Sequence, residues 1–387
     1  MAKARTRTAT ATRKRTTKKR APKRPPAEVL FASIRAERLE PNATLPKKFE
    51  RMLDRLPLAA AVEGQTVAVK MHLGGNVGYS TIHPLLVRLL VAKIKEHGPK
   101  RVFVTDGLGS ASTAAARGYT PETIGCQILP VAGPSGNYVY NKRVSYRTLK
   151  RISVAGAIHD ADVLIDFSHV KGHGDCAYGG ACKNIAMGCV NDKTRGALHA
   201  LEGGLTWIEG KCTHCGKCVE ACERGAARFD KNGKFTIFYH HCAFCRHCQL
   251  ACPQGAIKIT NSQYRHFQEG MALCTKTVLD TFKPGRALYI NVLTQITVFC
   301  DCWGMTTPSL VPDIGIMASD DIVAIEQASL DAIRVESLIK DGLPPGRTLG
   351  PGKHLFEKIH YKDPFVQVKA LEREGLGTRK YELAEIV

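Results

Sequence analysis

Nothing in this 387-residue sequence approaches the roughly 18 uninterrupted apolar residues of a membrane-spanning helix, and the N-terminus lacks the apolar segment of a secretory signal. These absences predict a soluble protein that stays where it is made, in the cytoplasm. Acid is missing altogether from residues 1–24, "MAKARTRTATATRKRTTKKRAPKR", and large apolar side chains are almost absent there. Such a segment buries too little surface to offset chain entropy, so residues 1–26 are expected to form a disordered basic tail. The tail carries eleven Lys or Arg, more than half of the formal net charge of +20, so the body is only mildly basic. It reads either as a counterion-releasing arm for nucleic acid or an acidic partner, or as a solubilising extension. A dinucleotide fingerprint is also lacking. The stretch "GGNVG" does not have the G-x-G-x-x-G spacing, and no acid follows at the required distance, so NAD and FAD are not expected.

Cysteine is plentiful, with 15 residues. In a chain expected to stay in a reducing compartment, that number points to metal or redox chemistry rather than a disulfide framework. "CTHCGKCVEAC" contains Cys212, Cys215, Cys218 and Cys222, and "CAFCRHCQLAC" contains Cys242, Cys245, Cys248 and Cys252. Both follow C-x-x-C-x-x-C-x-x-x-C. Three thiolates at that interval can wrap one face of an iron-sulfur cube, while the fourth points toward a neighbouring cube. The spacing therefore predicts one 4Fe-4S cluster on Cys212, Cys215, Cys218 and Cys252, and a second on Cys242, Cys245, Cys248 and Cys222. A pair of zinc sites is the alternative, although zinc sites rarely draw all four cysteines from one such short run.

Residues 206–262 resemble a bacterial-type ferredoxin module. "GAARFD" and "GAIKIT" follow the two runs, and "NGKFTIFYH" supplies a turn and strand before the second. Pro253 follows the last cysteine of run two, whereas Glu223 takes that place in run one. The resemblance implies one-electron transfer rather than substrate chemistry at iron. His240 and His241 are expected to tune cluster hydrogen bonding or to be exposed.

Around the module, strand and helix patterns alternate. Strands are expected at 66–71, 101–107, 163–167 and 287–293, and helices at 83–98, near 263–282 and at 320–340. This order predicts an α/β fold with a mostly parallel sheet flanked by helices, interrupted by the small α+β module. The expected organisation is a tail (1–26), a first part of the α/β domain (27–205), the insertion (206–262), the second part (263–345) and a C-terminal extension (346–387).

Ligands of parallel sheets sit beyond the carboxyl ends of the strands. Loops in those positions are "KMHLGGNVG", "TDGLGS" and "SHVKGHGDCAYGGACKNIAMGC", which contain Lys70, Asp106, Lys171, His173, Lys183 and Asn184 among glycines. Two lysines, a histidine and an amide suit a small anionic ligand, a carboxylate, a phosphate or a developing enolate. His173 or Lys171 is then a candidate for proton transfer. The plainer reading makes them exposed loop residues. Cys126, Cys176, Cys182, Cys189, Cys274, Cys300 and Cys302 read as small buried hydrophobes, or in part as a third metal site or redox thiol pair.

"VKGH", "YGGACKNIAMGCVNDKTRGALH" and "CDCWGMTTPSLVPDIGIMASDDIVAIEQASLD" resemble the family called domain of unknown function 362, in the subgroup with an inserted pair of ferredoxin runs. The likeness extends from about residue 66 to 340. It implies that Lys171, His173, Lys183, Asn184 and Asp313 occupy motif positions. Trp303, Gly304, Ile322 and Glu326 depart from residues common in the family. Taken together, the expected function is a one-electron-transfer oxidoreductase component that works with a redox protein partner. The alternative is a binding or assembly protein whose clusters are structural and whose tail docks on nucleic acid or an acidic partner.

Overall fold

Short runs of largely apolar residues such as Val67-Ala68-Val69 and Leu288-Tyr289-Ile290 lie in strands whose alternate side chains enter two different cores. Val67 and Val69 face one side and Ala68 the other, which is the period-two pattern of a sheet covered on both faces. The computed structural model describes residues 25–387 except 76–77, 203, 223–224, 239–241, 243–245, 260–262, 305 and 345–347. The predicted tail therefore lies outside the described residues apart from its last two positions, as do Cys245, His240, His241 and Glu223.

The central sheet has eight strands. They are β1 (Ala27–Ser33), β2 (Thr66–Lys70), β3 (Arg101–Asp106), β4 (Gln127–Pro130), β5 (Val163–His169), β6 (Ala287–Leu293), β7 (Gly315–Ser319) and β8 (Tyr381–Glu385). Their spatial order is β8-β1-β7-β6-β5-β2-β3-β4. Only β7 runs against its neighbours in this sheet, pairing antiparallel with both β1 and β6. The expected α/β class with a mostly parallel sheet is what the chain adopts.

Helices α1 (Leu45–Arg55) and α2 (Pro84–Glu96) cover one face. The other face is covered by α3 (Ala181–Gly188), α4 (Asp192–His199), α5 (Tyr264–Leu279), α6 (Ile322–Ala332) and α7 (Phe365–Arg373). In α6 the helix ends eight residues short of the expected 340. Ile333 is buried with an extended backbone, so the apolar pattern continues into the core without helical geometry. The segment set apart as a C-terminal extension supplies α7 and β8, and β8 pairs in parallel with β1. A hairpin over 139–155, which the periodicity did not reveal, lies outside the main sheet.

Residues 205–259 build a separate small core of Cys218, Ala227, Phe235, Cys248, Ile257 and Ile259 between two short antiparallel strand pairs. No helix among the described residues is long and apolar enough to cross a membrane.

Candidate functional site

The chain moves outward in opposite directions from β2, toward β3 and β4 on one side and toward β5 and β6 on the other. Loops that leave the carboxyl ends at such a reversal diverge and open a crevice, the usual ligand position in this class. A cavity of about 750 Å³ occupies that place. It is bordered by Lys70 at the end of β2 and His72 just beyond it, Asp106 at the end of β3, His169 at the end of β5 and His173 after it, Lys183 and Asn184 of α3, Arg195 of α4, and Cys300 and Cys302 after β6.

Lys70 lies on its floor, 1% exposed. Its ammonium donates to Asn184 Oδ1 at 2.6 Å and the Met71 carbonyl at 3.0 Å, and lies 3.1 Å from Asp106 Oδ1. Gly188 is needed here, because a Cβ on it would collide with the end of the Lys70 side chain. Asp106 also pairs with His72 Nδ1 at 2.8 Å and accepts the Leu73 amide at 2.9 Å. Burial alone would push the Asp106 carboxyl up, but Lys70, His72 and that amide hold it well below the usual carboxylate range. The outcome reverses at Asp166, where burial dominates and its carboxyl is pushed up to about 8. Its nearest partners are neutral: Ser168 Oγ at 2.6 Å and Asn184 Nδ2 at 2.8 Å.

His72 is the residue that sequence reasoning missed on this wall. Its Nδ1 is engaged by Asp106, while Nε2 is buried at the cavity with no hydrogen-bond partner among the described residues. Its place two residues beyond a strand end was the available signal.

Of the predicted ligand residues, Lys70, Asp106, His173, Lys183 and Asn184 come together around the cavity. Lys171 does not border it. It is fully buried, donating to Asp301 Oδ1 at 2.7 Å, the Ser80 carbonyl at 2.7 Å and Ser80 Oγ at 2.8 Å. Asp301 is shared with His169 Nδ1 at 2.9 Å. Asp313 is exposed on another loop, where Oδ1 accepts the Gln295 amide at 2.5 Å. That amide belongs to a residue held at φ 45°, so Asp313 stabilises a tight turn.

Two cysteines also line the cavity, Cys300 just before the short helical turn Asp301–Trp303 and Cys302 within it. Lys183 Nζ lies 3.5 Å from Cys300 Sγ and 3.7 Å from Cys302 Sγ. Burial would raise the Cys300 thiol, but hydrogen bonds from Cys302 and His173 and the charge of Lys183 bring it well below the usual thiol value. Cys302 moves the other way, raised by its hydrogen bond with Cys300 and by burial. The ligand atoms of His173, Cys300 and Cys302 lie within 4.8 Å of one another, as do those of Asp175, His199 and Glu202. Both are groups able to hold a metal ion. Cys176, Cys182, Cys189 and Cys274 are buried in the core, where burial raises each thiol, and Cys126 is buried likewise.

In the small core, Cys212, Cys215, Cys218 and Cys252 border a single cavity, three from the first run and one from the second. The fold repeats itself thirty residues later. Gly216 (φ 79°) and Arg246 (φ 66°) turn the chain through left-handed conformations into the short helices Lys217–Glu220 and His247–Leu250, and strands Ala227–Phe229 and Ile257–Ile259 follow. The last cysteine of each run accepts main-chain amides at matching places. Cys222 Sγ takes Ala226 and Ala227 at 3.2 and 3.3 Å, and Cys252 Sγ takes Ala256 at 3.3 Å. Cys222, Cys242 and Cys248 are described, whereas their predicted partner Cys245 is not.

The family described as "Domain of unknown function (DUF362)" matches residues 67–331. No curated protein matches the chain. Among solved structures, the lactate racemase apoprotein from Thermoanaerobacterium thermosaccharolyticum is similar at 11% identity and a TM-score of 0.35, over 69% of this chain and 51% of that one. A structural-genomics protein from Thermotoga maritima is similar at 10% identity and a TM-score of 0.34, over 66% of this chain and 52% of that one. The chain thus spans about half the length of these two structures.

Proposed function

The chain belongs to the DUF362 family, and from that premise we propose that it is an iron-sulfur protein carrying a ferredoxin-like module at residues 206–262 inserted in its α/β domain. Cys212, Cys215, Cys218 and Cys252 would hold one 4Fe-4S cluster, and Cys242, Cys245, Cys248 and Cys222 the other. Bound there, each cluster supplies a one-electron redox centre with a cysteine on every iron. A redox protein partner exchanges electrons with the module, and a small carboxylate or phosphate occupies the cavity between β2 and β5.

The observation that carries this reading is the cavity bordered jointly by Cys212, Cys215, Cys218 and Cys252. Two separate zinc sites, each taking its four cysteines from one run, would not bring Cys252 to the first three. The amides of Ala226, Ala227 and Ala256 donate to sulfur and offset thiolate charge, the kind of contact that tunes a cluster.

At the other site, Lys183 and Arg195 supply positive charge for the anion. His72, oriented through Nδ1 by Asp106, presents Nε2 for proton transfer. It takes the role first considered for His173 or Lys171.

Anaerobic purification with iron and sulfide analysis, followed by EPR during a redox titration with and without added carboxylates and inorganic phosphate, tests the reading. About eight irons in two reducible, interacting centres whose signals shift with ligand would support it. The same iron in centres that stay inert and blind to ligand would instead favour a binding or assembly role. Four-cysteine zinc without iron would overturn both.

A further inference from the structure

The electron relay leaves Cys300 and Cys302 without a task, although both border the large cavity. Their C-x-C spacing matches no cluster motif, and neither lies in the cysteine-rich module. The fold adds a third donor that is remote in sequence. His173 ends the short strand Lys171–His173, and this strand lies against the segment leading to Cys300, with the Gly172 amide donating to the Thr297 carbonyl at 3.0 Å. The approach depends on glycine: a Cβ on Gly172 would collide with the Val298 carbonyl oxygen. His173 is thereby fixed beside the two sulfurs, all three ligand atoms within 4.8 Å of one another.

A tetrahedral zinc ion with Zn–S near 2.3 Å and Zn–N near 2.0 Å sets its ligand atoms about 3.5 to 3.8 Å apart. The present separations, none above 4.8 Å, are compatible with that geometry after side-chain adjustment. Lys183 Nζ lies 3.5 and 3.7 Å from the two sulfurs, placed to donate N–H···S bonds that stabilise metal-bound thiolates. Because His173, Cys300 and Cys302 all border the cavity, a fourth ligand can enter from that side.

We propose that His173, Cys300 and Cys302 form a mononuclear site for a borderline divalent cation, zinc in the first place, with its fourth coordination position open to the cavity. Three protein ligands and one open position are the arrangement of zinc sites that act on a bound molecule rather than brace a fold. An anion in the cavity then meets the cation directly, and the cation polarises its carbonyl or phosphoryl oxygen. This inference uses the α/β cavity and is independent of the clusters.

Full-length protein, purified anaerobically without added zinc or chelator, is expected to contain about one zinc per chain beside its iron. The double variant Cys300→Ser/Cys302→Ser, and separately His173→Ala, should lose that zinc while iron and sulfide stay unchanged. Cys212→Ser/Cys215→Ser should do the reverse, which separates failure of this site from failure of the cluster reading. Lys183→Met should weaken zinc binding roughly 10- to 100-fold. Should a variant fail to fold, the parent protein still decides. Cobalt exchanged into it is expected to give the intense visible bands of tetrahedral thiolate coordination. Zinc retained in the double variant, no zinc uptake by the reduced parent, or octahedral cobalt would each overturn the proposal.

Discussion

Lys171 Nζ and Asp301 Oδ1 stand 2.7 Å apart with both side chains buried. This pair ties the strand after β5 to the loop after β6, and Asp301 lies between the two cavity cysteines. Removing Lys171 strips a buried carboxylate of its ammonium partner in a low-dielectric setting and leaves it the His169 contact. Lys171→Met is therefore expected to destabilise the protein by about 3–5 kcal/mol. Lys171→Met/Asp301→Asn should recover part of that loss. Chemical denaturation of parent, single and double variants reads both, and a single variant as stable as the parent would refute the account.

The cavity of Cys212, Cys215, Cys218 and Cys252 crosses from one run to the other. Cys252→Ser should consequently perturb the same EPR signal as Cys212→Ser, and Cys222→Ser the other signal. Each substitution is expected to lower iron content by about half or convert one centre. Variants that group by run instead would contradict the crossover.

Glu326 is buried on α6, where its carboxylate accepts from the Tyr178 hydroxyl and, at 3.2 Å, from the Cys182 amide. Burial outweighs these bonds and pushes its carboxyl up to about 7. The folded state thus keeps this proton longer than the unfolded chain, so the stability it contributes is fully present below the ordinary glutamate value and is lost as pH rises to about 7. The loss is on the order of 3 kcal/mol. Glu326→Gln removes this dependence, so the stability of the variant relative to the parent should rise between about pH 4.5 and 7 and level off above. A difference that is flat with pH would show that Glu326 does not titrate in this window.

Gly172→Ala tests a close approach rather than a charge. The added methyl meets the Val298 carbonyl oxygen and the His360 ring. Overpacking of this kind costs about 1–3 kcal/mol. Moving the strand should also separate His173 from Cys300 and Cys302. Thermal unfolding reads the first effect and zinc content the second, and an unchanged Tm with full zinc would show that the contact relaxes freely.

The strands at the centre of the sheet were legible because they are buried on both faces and read as nearly continuous apolar runs, as in Leu164-Ile165 and Ala287–Leu293, which Asn291 alone interrupts. The peripheral strands were not. β1 and β8 mix exposed glutamates with apolar residues, and their pairing depends on partners hundreds of positions away. The cavity followed from one rule about strand ends, which located Lys70, Asp106, Lys183 and Asn184. The same rule placed Lys171 in a loop, and the family resemblance added Asp313, without revealing which way either turns, because direction is set by tertiary partners such as Asp301 and Gln295. The juxtaposition of His173 with Cys300 and Cys302 had no local signature at all.

Strand β1 lies between β7 and β8, so the first strand among the described residues is completed by two of the last. Loop closure over such separations comes late and slowly. As the chain emerges from the ribosome, residues 27–33 wait with both edges unpaired until residues 315–319 are made, and with one edge still open until residues 381–385 follow. During that interval an apolar segment is open to aggregation, and this half of the sheet cannot close until those distant strands have been made.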